Sequence, residues 1–279
     1  MNIHIGIFTI NPNRLHNNKD TNKEDLIPNI SSGSVDSYDD AYLYPKRFVY
    51  AGALIAVCFM SSIPQPVKLA MFIWEYLSHE KVTIESIYEI DEDFKVMIQT
   101  GESIMKVLRS NPDEMSDELF NQIFTHAFEI DNSFGKKVEL IPSGSKIKVT
   151  KTNIGEFIDQ AKKFRMEEFI NVLTELKEGF DKVMIYKNII KILRPSELKL
   201  LICGEPECKI EQMKNFIDFY RNDNVDDKAQ DIFWKVMESF SVKERMDFIR
   251  FSSGNLSLPA PGMKFERNIE VFVLSPGKH

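Results

Sequence analysis

Three cysteines are the residues of this sequence best suited to nucleophilic chemistry: Cys58, Cys203 and Cys208. A thiolate attacks carbonyl and thioester carbon only where its surroundings favour ionisation, so each must be judged by its neighbours. Cys58 lies in the apolar run Phe48–Met60, where a free thiol packs as a small hydrophobe. Cys203 falls at the end of Leu200-Leu201-Ile202-Cys203-Gly204, a helix terminus. Cys208 follows the polar Glu205-Pro206-Glu207 and reads as exposed, yet the two adjacent carboxylates disfavour its thiolate. None of the three has the setting of a nucleophile. The five histidines, His4, His16, His79, His126 and His279, show no metal-ligand spacing, so no metal is expected. With no P-loop and no glycine-rich dinucleotide fingerprint, no cofactor is expected either. Asp91-Glu92-Asp93 and Asp113-Glu114 fit solvated faces or helix N-termini, where carboxylates meet the positive end of the helix dipole, better than acid–base pairs. Lys146, Lys148 and Lys151 read as a basic patch on an exposed strand face.

The elements that would carry these residues can be read in turn. Residues 3–10 alternate as a strand and stop at Asn11-Pro12-Asn13. The Asn-, Asp- and Ser-rich stretch 14–44 reads as a flexible insertion. Phe48–Met60, too short to span a bilayer, reads as a buried core helix whose small residues admit a close neighbour. Further helices are expected over Val67–Leu77 and 94–108. Strand patterning is expected from Phe124 through Val138–Ile141 and Ile147–Val149, turning at Pro142-Ser143-Gly144. A helical pattern then starts at Asn153 and runs on to Phe180.

Near the end of the chain the signals sharpen. Pro195 sits at a first helical position and Gly204 offers a left-handed cap. Phe233, Val236, Met237 and Phe240 form an apolar stripe, and Ser241-Val242-Lys243-Glu244 is a capping box opening a helix that Ser252-Ser253-Gly254 closes.

The chain has 279 residues, 43% hydrophobic and 28% charged, enough for a sizeable core. A net charge of −7 argues against nucleic acid and anionic membranes as partners of the chain as a whole. An odd cysteine count without a disulfide framework, no secretory leader and no spanning segment fit a cytoplasmic or nuclear protein with no membrane insertion.

The order and wording of these passages resemble the HECT ubiquitin ligases. The resemblance rests on Leu193–Gly204, Ile232–Ser241, Arg250–Gly254 and Leu256–Pro259, on Phe48–Ala56 and Val82–Asp91, and on Val138–Phe180; its wording is nearest the HERC-like branch. It implies an α+β bilobal fold. Residues 1–204 would form an incomplete, mainly helical N-lobe, with a small mixed α/β subdomain over about 97–173 that receives a ubiquitin-conjugating enzyme. Residues 205–208 would be the hinge, with Gly204, Glu205, Pro206, Glu207 and Cys208 as its residues, and 209–279 a truncated α/β C-lobe. The family's nucleophilic cysteine is then expected beyond His279. The implied function is to accept ubiquitin from a conjugating enzyme as a cysteine thioester and pass it to a substrate lysine. The alternative is a non-catalytic module that docks the conjugating enzyme. Met97, Ile104 and Leu173 are the candidate docking contacts, and packing within the subdomain's own core is an equally open reading of all three.

Overall fold

The computed structural model describes residues 8–16, 23–29, 47–61, 64–111, 115–205, 207–221, 228–263, 265 and 267–273. Strand β1 (Phe8–Ile10) leads into helix α1 (Pro12–Leu15), capped by Asn11, whose Oδ1 accepts the Arg14 N–H at 3.1 Å. Strand β2 (Leu26–Pro28) pairs antiparallel with β1. This corrects part of the flexible insertion expected over 14–44: Ile27 is fully buried, and Leu26 exchanges backbone hydrogen bonds with Lys68 and Ala70. Residues 17–22 and 30–44 of that stretch, like 3–7 of the first strand, lie outside the described residues.

Helix α2 (Arg47–Ser61) is buried on one face only, through Phe48, Ala51 and Ile55. Tyr50, Leu54 and Val57 are exposed, so it is not the wholly buried helix expected. Helix α3 (Met71–Leu77) starts four residues later than its sequence pattern, because the backbone of 68–70 is engaged with Leu26 instead of a helical turn. Helix α4 (Ile84–Tyr88) is capped by Thr83, α5 (Glu92–Ser110) by Asp91 and α6 (Asp117–Ile123) by Ser116. Strands β3 (Glu129–Asp131) and β4 (Lys137–Glu139) make an antiparallel hairpin with Ile130 opposite Val138. A 3-10 turn over Gly144–Lys146 follows, leaving a single bridge from Lys148 to Ala127 where a strand over Ile147–Val149 was expected.

Helices α7 (Ile154–Glu167) and α8 (Ile170–Val183) divide what reads in sequence as one helical run. Then come α9 (Lys187–Ile190), α10 (Pro195–Cys203), α11 (Ile210–Met213), β5 (Ile217–Arg221), α12 (Lys228–Ser239), α13 (Val242–Ser253) and β6 (Ile269–Val273), which runs parallel to β5. The composition is mixed α/β and mostly helical.

The chain forms two compact units, one of residues 1–52 with 68–179, the other of 53–67 with 180–279. In the first, Phe72 stacks on Phe169 with ring centroids 5.1 Å apart, and Trp74, Leu77, Leu173 and Leu176 are buried with them. Two helix backbones also meet there: a Cβ at Gly179 would fall 1.7 Å from the Val49 carbonyl oxygen. The close approach to α2 foreseen from that helix's own small residues is thus supplied by a glycine of α8.

In the second unit, Trp234, Met237, Ile249, Leu258, Phe216 and Cys208 share one core. The buried face of α12 is Trp234 with Met237, while Val236 points outward, which rotates the stripe read from sequence. The capping box at α13 forms as expected, Ser241 Oγ accepting from Glu244 N–H and the Glu244 carboxylate accepting from Ser241 N–H, and Gly254 caps the other end in the left-handed conformation. Gly204 does end α10, but at φ 75 and ψ −172 rather than in the left-handed helical region expected. Only glycine enters that extended, positive-φ region readily.

Candidate functional site: a polar cleft over a buried arginine

In α7 the apolar stripe Ile154, Phe157, Ile158 and Ala161 continues at helical spacing to Arg165, which is therefore carried inward and is 3% exposed. A guanidinium there needs charged partners. Its Nη2 lies 3.0 Å from Asp91 Oδ2 and donates to the Asp131 carbonyl at 2.8 Å. Its Nη1 lies 2.9 Å from Glu168 Oε2 and donates to Ser133 Oγ at 2.9 Å. Ser133 closes the ring, its N–H and Oγ–H both donating to Glu168. The guanidinium carbon sits 4.9 Å from the centre of the Phe94 ring, a cation–π contact. Only Nε has no hydrogen-bond partner among the described residues.

Asp91 does two jobs, pairing with Arg165 and capping α5 through the Phe94 N–H at 3.0 Å. Burial pushes its carboxyl above the ordinary aspartate range, with the Arg165 guanidinium pulling the other way. Of the two readings of Asp91-Glu92-Asp93, solvated face or helix N-terminus, the structure takes the helix N-terminus, with Asp91 as a buried cap and Glu92 and Asp93 in the first turn. The first helical turn is fixed from a second side by the Asn11-Pro12-Asn13 passage: Asn13 Oδ1 accepts the Glu92 N–H at 2.7 Å and its Nδ2 donates to the Glu89 carbonyl at 2.9 Å.

This network underlies a cleft of about 320 Å³. Phe94 and Met97 from α5 give it an apolar wall, His126 and Thr125 another side, and Asp93 and Asp131 carry negative charge to its edge. The His126 ring packs on Phe124 and Phe157, with centroids 4.6 and 5.9 Å away, and this partial burial lowers its pKa below the usual histidine value even though its edge reaches solvent. Glu129 accepts a hydrogen bond from Lys137 at 2.8 Å, which raises the pKa of that lysine. Among the described residues no thiol lines this cleft, and the Thr125 hydroxyl donates to the Asn121 carbonyl rather than to the His126 imidazole. The arrangement suits recognition: a polar cleft with one apolar wall, lined by both acidic and basic side chains.

Met97, half-buried, lines the cleft. For Ile104 and Leu173, 4% and 1% exposed, the structure takes the core-packing alternative. Neither side chain reaches the surface. Arg165, Glu168 and Ser133 escaped the sequence reading, and the one signal that could have found them is the arginine standing on an apolar stripe.

Burial and backbone contacts dominate the surroundings of the cysteines. Burial raises the pKa of Cys58, and the Cys203 thiol donates to the Val67 carbonyl at 3.4 Å. Cys208, read as exposed, is fully buried, with φ at 46; burial raises its pKa and Arg245 offsets this only in part. Its place in the core with Trp234 and Ile249, rather than its polar neighbours in sequence, decides its exposure. Glu205 is drawn into a bridge with Leu258, Glu207 is exposed and pairs with Lys209 at 2.9 Å, and Pro206 lies outside the described residues. In the basic patch, Lys146 and Lys148 are exposed, whereas Lys151 is tied to Asp117 at 2.8 Å.

Comparison with known proteins decides the lineage of this scaffold. The family described as HECT-domain (ubiquitin-transferase) matches residues 2–277. The chain belongs to the HECT-domain family. The HECT chain is 26% identical to the E3 ubiquitin-protein ligase ptr1 of Schizosaccharomyces pombe over 221 residues, covering 78% of this chain and 6% of that protein. It is 26% identical to human E3 ubiquitin-protein ligase HERC2 over 219 residues, 78% of this chain and 4% of that protein. With E3 ubiquitin-protein ligase pub1 of S. pombe it shares 28% identity over 185 residues, 65% of this chain and 24% of that protein. The HECT chain therefore spans less than a quarter of the length of each of these relatives. Among its described residues no helix is long and apolar enough to cross a membrane.

Proposed function

We propose that this chain works in protein ubiquitination as part of a HECT-type ligase, receiving a ubiquitin-conjugating enzyme on the subdomain spanning about 97–173. The single observation that carries the proposal is the HECT match across residues 2–277. The cleft beside Met97 supplies the docking surface, since it joins an apolar wall to a charged, polar lining above the Arg165 network. In the ligase reading, ubiquitin passes from the conjugating enzyme to a cysteine of the C-lobe, forming one thioester as another breaks, and then to a substrate lysine. In that reading the connection Gly204–Cys208 is the hinge between 1–204 and 209–279, although by packing it lies inside the second compact unit, whose boundary with the first falls at 179–180. Burial raises the pKa of Cys58 and Cys208 and disfavours both in the accepting role, so docking is the part of the reaction proposed for the described residues.

A Met97→Asp variant places a charge on the apolar wall without disturbing the core. Titration with a panel of ubiquitin-conjugating enzymes, followed by calorimetry, should show weak binding by the unaltered chain that Met97→Asp reduces about tenfold or more. Equal affinity in a folded Met97→Asp variant would remove the cleft from the docking surface. Failure of every conjugating enzyme tested to bind would overturn the docking proposal itself.

A further inference from the structure

We propose that Arg245 and Ser257 are positioning residues that latch the Gly204–Cys208 connection, so that lobe movement begins with release of their hydrogen bonds rather than with rotation about a free linker. The role of the latch rests on reading this segment as the hinge. Its existence rests on contacts within the second compact unit alone.

A free linker has solvated backbone groups. Here, on either side of position 206, the Glu205 N–H, the Glu205 carbonyl and the Cys208 carbonyl are each engaged. On the near side, the Glu205 N–H donates to the Leu258 carbonyl at 2.9 Å, and Ser257, 1% exposed, donates its hydroxyl to the Glu205 carbonyl at 3.1 Å. Gly204 lies so close that an added Cβ would fall 2.2 Å from the Leu258 oxygen and 2.8 Å from Pro64 Cβ. On the far side, Arg245 Nε donates to the Cys208 carbonyl at 2.9 Å while its Nη1 donates to the Phe240 carbonyl at 2.6 Å. One planar guanidinium thus ties the exit of the connection to the turn between α12 and α13, and a lysine cannot reproduce that two-point geometry. Cys208 itself is fully buried with a positive φ of 46, a conformation that a non-glycine residue keeps only where its surroundings hold it. Both ties come from one continuous stretch, α13 and the Ser257-Leu258 passage that follows it, so both anchor the connection to the same body.

The buried Cys208 thiol reports whether the latch is shut. In the native full-length chain, alkylation by iodoacetamide read by mass spectrometry should be slower at Cys208 than at the half-buried Cys58. In Ser257→Ala, and separately in Arg245→Met, Cys208 labelling should accelerate about ten-fold or more, as expected for loss of a hydrogen bond that held a buried group shut, while amide exchange of α12 and α13 is unchanged. Electrostatics alone has the opposite sign: Arg245 lowers the Cys208 pKa, so removing it reduces the reactive thiolate. Acceleration in Arg245→Met therefore reports opening, and Arg245→Lys, which keeps the charge, should fall between. The proposal is overturned if Cys208 in the unaltered chain reacts as fast as Cys58, if neither variant accelerates it, or if α12 and α13 loosen in parallel. No conjugating enzyme or ubiquitin enters the experiment, so its outcome is separate from that of the docking test.

Discussion

At the scale of single residues, Arg165 is the position where charge and burial are most at odds. Its pairing with Asp91 and Glu168 in the interior is a poor source of stability in itself, because the desolvation of three charges offsets much of their attraction, and Nε is left without a partner among the described residues. Removing one member is another matter, since it strands the others. Arg165→Met leaves two buried carboxylates facing a thioether and should cost about 3–5 kcal/mol in urea unfolding followed by circular dichroism. A loss below about 1 kcal/mol would mean that water reaches the carboxylates and that the cleft is not braced from beneath.

At the scale of elements, α8 meets α2 through Gly179, and the sign of a substitution there is diagnostic. In an exposed helix, Gly→Ala is stabilising by about 1 kcal/mol, through lower backbone entropy in the unfolded chain. At Gly179 the new methyl would lie 1.7 Å from the Val49 carbonyl oxygen, a backbone atom that cannot rotate away. Gly179→Ala should therefore lower stability by about 3 kcal/mol, measured as a fall in the denaturant midpoint at unchanged m-value. A neutral or stabilising result would show that the two helices are free to separate. The same level explains α7, where Arg165 takes the next position of an apolar stripe and so enters the interior without any local preference to do so.

At the scale of the molecule, the question is whether any cysteine of the described chain can carry ubiquitin. Cys58 and Cys208 both have pKa values raised by burial, and the Cys203 thiol is committed to a backbone carbonyl. Incubation with a charged conjugating enzyme under non-reducing conditions should therefore give no reducible ubiquitin adduct at these three positions. An adduct lost in Cys203→Ala or Cys58→Ala would refute this and reassign the nucleophile. The net charge of −7 gives the chain no general attraction for nucleic acid.

The sequence by itself determined what depends on neighbours along the chain. Pro195 opens α10, Ser241 and Glu244 cap α13 and Gly254 ends it, all through contacts spanning a few residues, and the ordered passages that carry the HECT resemblance are equally local in the chain. Tertiary structure alone decided what depends on distant partners. Leu26–Pro28 became a strand because β1 and residues 68–70 offered hydrogen bonds, which no polar-rich local pattern announces. Cys208 was buried by a core assembled from segments up to 61 residues away, and Asp91 acquired Arg165 from the far side of a hairpin. A cap or a turn is fixed by local dihedral and hydrogen-bond geometry, whereas burial and charge pairing are set by which surfaces the folded chain brings into contact.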